Sequence, residues 1–265
     1  MTSADPQFQA LLSHYFDDNA QSRVSEAAPF SVFLRNRGKR HVVAYVLKWE
    51  MLGANGITTT QFSSYSQPGI LLGYGVNTPT VPGQGHVISP GSMRLFTINS
   101  PIDPVGKPAM GSVSSIGSSK EGVDLSVKPS DRARSALLKV TNITVSLDGA
   151  FFDDGQFVGP NTSHYFERIK AEVDAKRDLL TKIADADKKP DGVDHVFETL
   201  QTGGDEDSLP TYVEATPEAQ YQYYSKAYAR EILNMKDAYG KEKAAAYFRA
   251  LHNLPKPKLI RTVTN

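Results

Sequence analysis

Apolar and polar residues change rhythm once along this chain, close to residue 160. Before that point the apolar positions alternate. Ile143, Val145 and Leu147 are interleaved with Thr144, Ser146 and Asp148, the period-two pattern of a half-buried strand. Residues 29–52 repeat it and are expected to form a strand pair. Phe30, Val32 and Leu34 alternate up to a polar turn, Asn36-Arg37-Gly38-Lys39, and Val43, Tyr45, Leu47 and Trp49 then share one face of a second strand. Val42, Ala44 and Val46 make the other face apolar as well, which predicts a central strand covered on both sides. After Asn161 the spacing turns helical, with Phe166, Ile169, Val173, Leu180 and Ile183 on one face of a helix over 163–186. Further helices are expected over 193–202, from Thr216-Pro217-Glu218 to Gly240, and through Ala244, Tyr247, Phe248 and Leu251. At the N-terminus Phe8, Leu11, Leu12, Tyr15 and Phe16 mark a short amphipathic helix, expected to join the helical layer.

The stretch Ile143 to Asn161 carries the transition. Asp153-Asp154-Gly155 stands between Phe151-Phe152 and Phe157-Val158, a tight-hairpin signal because Gly accepts the positive φ such turns demand. Asp148-Gly149 is expected as a second turn or as a bulge that bends the strand. Gly159-Pro160 stops the ladder, since Pro has no N–H to donate. Asn161, Thr162 or Ser163 can then cap the following helix. Residues 53–85 read as a Gly-, Ser-, Thr- and Gln-rich loop. Their glycines are irregularly spaced, with neither G-x-G-x-x-G nor a P-loop Lys, so a nucleotide cradle is not supported. His86 to Asn99 gives a short strand, a Pro90-Gly91 turn and a second strand through Met93, Leu95, Phe96 and Ile98. Residues 100–122, with Pro101, Pro104, Pro108 and a Ser/Gly run, are expected as a long exposed loop. Val123–Val127 and Leu137–Leu147 complete roughly six to eight short strands, the pattern of a sandwich.

The passage from residue 29 resembles the strand–polar turn–strand of bacterial immunoglobulin-like sandwich domains, on Asn36, Lys39, Tyr45 and Trp49. The resemblance covers about residues 29–160 and implies an architecture without a function. The cysteine pair of antibody domains is missing. The expected fold class is therefore α+β, an N-terminal antiparallel immunoglobulin-like β-sandwich followed by a C-terminal α-helical region. Its parts are 1–28 as N-terminal helix and connector, 29–160 as sandwich, 161–254 as helical region and 255–265 as basic tail.

Composition narrows the chemistry. Lys+Arg and Asp+Glu both number 29 in 265 residues, so no global basic field draws in nucleic acid or an anionic membrane. No cysteine is present, which excludes disulfides, thiolate nucleophiles and cysteine-ligated metal. No run approaches the roughly 18 apolar residues of a membrane span. The N-terminus lacks the basic region and apolar core of a signal peptide. Compartment stays open, since removal of an earlier signal would place the protein outside the cytoplasm.

Candidate site residues are few. Asp148, Asp153 and Asp154 invite a calcium reading, but the EF-hand order is absent and turn chemistry accounts for them. Tyr212, Tyr221, Tyr223, Tyr224 and Tyr228 could build an aromatic platform, although Tyr221, Tyr224 and Tyr228 fall on the stripe that faces a core. Tyr223 lies off that stripe and is expected to be exposed. Of the histidines His14, His41, His86, His164, His195 and His252, none sits in H-x-x-x-H or H-E-x-x-H. No G-x-S-x-G occurs either. Lys256, Lys258 and Arg261 read as a solvated basic tail. The expectation is a non-enzymatic binding or structural module, with Asp153, Asp154, Tyr212 and Tyr223 as binding candidates. It is expected to carry no catalytic residue, metal or cofactor and no membrane span, with an unidentified partner of protein or carbohydrate class and not nucleic acid. The rival is a hydrolase acting on carbohydrate or peptide through Asp148, Asp153, Asp154 or His164.

Overall fold

A twelve-residue strand whose first half is apolar on both faces must be covered on both, and this segment is the centre of the N-terminal sheet. The computed structural model describes residues 5–15, 30–74, 87–97, 139–186, 188–189, 192–201 and 216–262. The chain is mixed α+β, with its strands mostly N-terminal, and divides into two compact units. The first comprises Met1–Ser66 and Pro79–Phe152, and the second comprises Gln67–Thr78 and Asp153–Asn265.

In the first unit, helix α1 (Pro6–Tyr15) precedes strands β1 (Ser31–Arg35), β2 (Val42–Gly53) and β3 (Thr58–Ser66). Within the second, α2 (Pro68–Leu71) follows β3 in sequence. Strands β4 (Met93–Thr97) and β5 (Val140–Phe152) complete the first. β2 lies between β3 and β5, antiparallel to both, and Val42 to Leu47 are all buried. Tyr45, Leu47, Trp49 and Met51 point to one core, which also takes Val32 of β1 and Phe96 of β4. At Asp148 the β2–β5 register slips. Val46 faces Gly149 and Leu47 faces Leu147, so Asp148 is an extra residue in the ladder, a bulge rather than a turn.

Three expectations change here. β1 and β2 do not form a strand pair: β1 pairs with β4, Ser31 opposite Thr97 and Arg35 opposite Met93. Asn36 diverts the chain at that point, as described below. The N-terminal helix belongs to the β unit, because Phe8 is fully buried with its ring 5.1 Å from Phe33. Residues 53–85 contain a nine-residue strand, β3, whose Thr- and Ser-rich sequence hides it among loop-forming residues. The loop expected over 100–122 and the strand at 123–127 lie outside the described residues.

The second unit holds β6 (Gln156–Val158), α3 (Tyr165–Ala186), α4 (Gly192–Gln201), α5 (Pro217–Tyr239), α6 (Lys241–His252) and β7 (Ile260–Thr262). Leu179, Leu180 and Ile183 of α3 meet Phe197 of α4, Ile232 of α5 and Ala244, Phe248 and Leu251 of α6 in one core. The helix starts follow from their caps. Asn161, buried with φ 61°, accepts from the Phe166 N–H at 2.8 Å and donates to Glu167 at 2.7 Å. Thr216 Oγ1 accepts from the Ala219 N–H at 3.2 Å, with Pro217 in the first turn. Gly240, with φ 87°, separates α5 from α6.

Candidate functional site

The β1–β2 connection is built around Asn36. Its backbone N–H donates to Ser92 O at 3.0 Å, and its carbonyl accepts from the Gly91 N–H at 2.8 Å. Its side-chain Nδ2 donates to Arg40 O at 2.7 Å and to Ile88 O at 2.8 Å, while Oδ1 accepts from the Gly38 N–H at 2.9 Å. Val42 and Ile88 exchange backbone bonds just beyond, at 3.1 and 2.9 Å. A buried amide is costly unless paired, and this one is paired at every position shown. The turn is thereby fixed against residues 88–92.

That fixed turn reads Arg35-Asn36-Arg37-Gly38-Lys39-Arg40-His41. Arg35, Arg37 and Lys39 are exposed, and their side chains make no hydrogen bond or ion pair among the described residues. Arg40 instead lays its guanidinium over the Phe152 ring, 4.0 Å from its centroid. Acidic side chains described in this unit are Asp5, Glu50 and Asp148. Glu50 is paired with Lys48 at 2.8 Å, Asp148 is buried, and Asp5 accepts from the Gln7 N–H. Arg35, Arg37 and Lys39 therefore present positive charge with no ion pair to a described carboxylate.

The second concentration of ionisable groups joins α3 to α5. Tyr228 Oη donates to Glu172 Oε1 at 2.9 Å, and Tyr221 Oη donates to Asp178 Oδ2 at 2.5 Å. Lys176 Nζ lies 3.0 Å from both oxygens of Glu231 and 4.2 Å from the centre of the Tyr228 ring. Burial raises the Glu172 carboxyl above the usual carboxylate range, and the Tyr228 bond, Arg168 and Lys176 only partly offset it. Burial also raises the phenols of Tyr228 and Tyr74, the former reinforced by Glu172 and the latter by Tyr247 and Glu231. Every one of these polar contacts ties one element to another, so the network reads as interhelical glue.

The residues singled out in the sequence are placed as follows. Asp154 Oδ1 accepts from the Gln156 N–H at 3.1 Å, inside the turn that carries Gly155. Asp153 occupies the same turn. Tyr212 and His86 lie outside the described residues. Tyr223, expected to be exposed, is half-buried, its ring edge-on to Tyr224 at 5.4 Å, and Tyr224 stacks on Tyr228 at 6.5 Å. His14, His164 and His195 are exposed, and His252 Nδ1 lies 3.3 Å from Asn253 Oδ1. Among the described residues no three His, Asp or Glu side chains converge as a metal site. No described helix is long and apolar enough to cross a membrane.

Residues 255–262, expected as a solvated basic tail, are instead tied into the helical unit. Arg177 Nη2 donates to Leu71 O at 2.9 Å and to Pro257 O at 2.8 Å. Lys256 Nζ donates to His252 O and, at 3.2 Å, to Leu254 O, closing the C-terminus of α6. Arg261 donates to Pro160 O at 3.1 Å, and β7 runs parallel to β6. Periodicity within the segment carries no sign of this, because Arg177 and Pro160 lie 80 and 101 residues from the tail residues they meet.

The signal for the Arg35–His41 turn was present in the sequence as five basic or imidazole side chains in seven positions. Counting charge over the whole chain averages it away. Comparisons with family models, curated proteins and solved structures return no match.

Proposed function

We propose that this chain is a non-enzymatic binding module that holds an anionic partner on the Arg35–His41 turn. One observation carries the reading: three exposed cations without described partners stand on a backbone that Asn36 locks in place. A cation left unpaired on a mobile loop is an ordinary solvated side chain. On a rigid turn the entropy of fixing the backbone has already been met at folding, so a partner meets a preformed charge array. In this reading the β unit is a small immunoglobulin-like sandwich serving as scaffold. Its support is the single core shared by the β1–β4 pair and the β3–β2–β5 sheet. Of the residues named for the hydrolase alternative, Asp148 is buried at a bulge of the β2–β5 ladder and Asp154 accepts from the Gln156 N–H within its own turn.

Retention on a heparin column tests it. The triple variant Arg35→Gln/Arg37→Gln/Lys39→Gln should elute at clearly lower salt than the parent protein. Its stability should stay within about 0.5 kcal/mol, as for surface substitutions away from packing. Elution of both proteins at the same salt would dismiss the turn as the binding surface.

A further inference from the structure

We propose that the anion recognised by the Arg35–His41 turn is the phosphodiester backbone of a nucleic acid, contacted without reading its bases. This rests on the anion-binding reading above and names its partner.

Three features favour this partner over an anionic lipid surface. Arginines dominate the turn, with Arg35 and Arg37 exposed beside Lys39. A guanidinium offers a planar fork that matches phosphate oxygens in pairs, whereas lipid-directed patches work through bulk charge and need no fork. The turn is also stiff. Asn36 and the Gly91–Ser92 segment bond it on both sides, which suits phosphates at fixed spacing along a strand. Lipid headgroups diffuse laterally and gain nothing from a fixed array. Finally, no large apolar side chain is exposed among the described residues of the turn or of the 88–92 segment bonded to it. Stable attachment to a membrane surface usually adds such a side chain to the charge. The one amide of the turn that could read an adenine edge, Asn36, is consumed by Arg40, Gly38 and Ile88, so what the turn offers is its cations, the groups that contact phosphate in any sequence.

Chain neutrality alone does not oppose the inference, because salt screens charges beyond about 8–10 Å and a chain-wide sum counts acids farther away than that.

The test is fluorescence anisotropy with a labelled duplex DNA of mixed sequence, across a fourfold range of salt. A sedimentation arm uses vesicles containing phosphatidylserine. If three phosphates are neutralised, the affinity should fall roughly 40-fold over that range. Neutralising Arg35, Arg37 and Lys39 to Gln should cost at least about tenfold at the lowest salt and flatten the salt dependence by about one slope unit for each residue. Scrambling the DNA sequence should change nothing. The inference is overturned if duplex binding is absent, or if the triple variant binds the duplex as tightly as the parent. It is also overturned if binding through the turn is confined to the vesicles. In that last case, or when heparin retention depends on the turn while DNA is ignored, the anion-binding reading survives and only the nucleic-acid partner is lost. Loss of turn-dependent heparin retention would remove both.

Discussion

Gly155 holds φ 83°, and a Cβ built there would stand 2.5 Å from Lys258 O, so two independent constraints demand glycine. Gly155→Val should therefore destabilise the helical unit by about 1–3 kcal/mol in denaturant unfolding; an unchanged midpoint would contradict the tight turn. The conformational half of this was legible in Asp154-Gly155. The contact half was not, because Lys258 approaches from a hundred residues downstream. Asn36 repeats the lesson. Its residue type and its turn were readable, but its bonds to Ile88 and Ser92 depend on where β4 returns. Asn36→Ala removes the bonds to the Arg40 carbonyl, to the Ile88 carbonyl (which keeps the Val42 N–H) and from the Gly38 N–H, and should cost about 1–3 kcal/mol. Calorimetry of the variant checks it, and a loss below the uncertainty of the method would show that water replaces the amide freely.

At the scale of elements, the helices were readable from their periodicity and caps, whereas what α3 and α5 exchange was not. Tyr221 and Tyr228 lie on the core-facing stripe, yet each also carries a hydroxyl to a carboxylate of α3. Which carboxylate is met depends on the α3–α5 register, invisible to spacing within one helix. A pH dependence follows from Glu172. Its carboxyl is raised by burial, so between the ordinary carboxylate range and the raised value the folded state binds more protons than the unfolded one. Its stabilising contribution is complete below the ordinary range and is lost as pH rises through the folded value. Glu172→Gln keeps an acceptor for Tyr228 and removes that titration. The variant should gain stability relative to the parent as pH rises through this window, in unfolding midpoints taken at several pH values. A parallel pair of curves would show that Glu172 ionises without penalty. The C-terminal segment makes the converse point about sequence. Lys256, Lys258 and Arg261 were read by composition as solvated, while Arg177 binds the Pro257 carbonyl and Gly73, at φ 98°, admits Pro255 closely. Arg177→Ala should cost about 1.5–3 kcal/mol, measurable as a lower midpoint, and equal midpoints would remove the clamp from the account.

At the scale of the molecule, the change from strands to helices near residue 160 was plain in the sequence because burial imposes period two on one and period 3.6 on the other. The membership of Gln67–Thr78 in the helical unit was not, since a four-residue helix in a Gly-rich stretch has no period to read. Nor was the proposed anion-binding surface, because equal totals of acid and base conceal where each is placed. A backbone NMR titration of the intact chain with a short polyphosphate tests that surface most directly. The account predicts saturable, salt-sensitive shifts at Arg35–His41 and at the bonded 88–92 segment, absent in the triple Gln variant. Shifts centred instead on the helical unit, or unchanged in that variant, would contradict it.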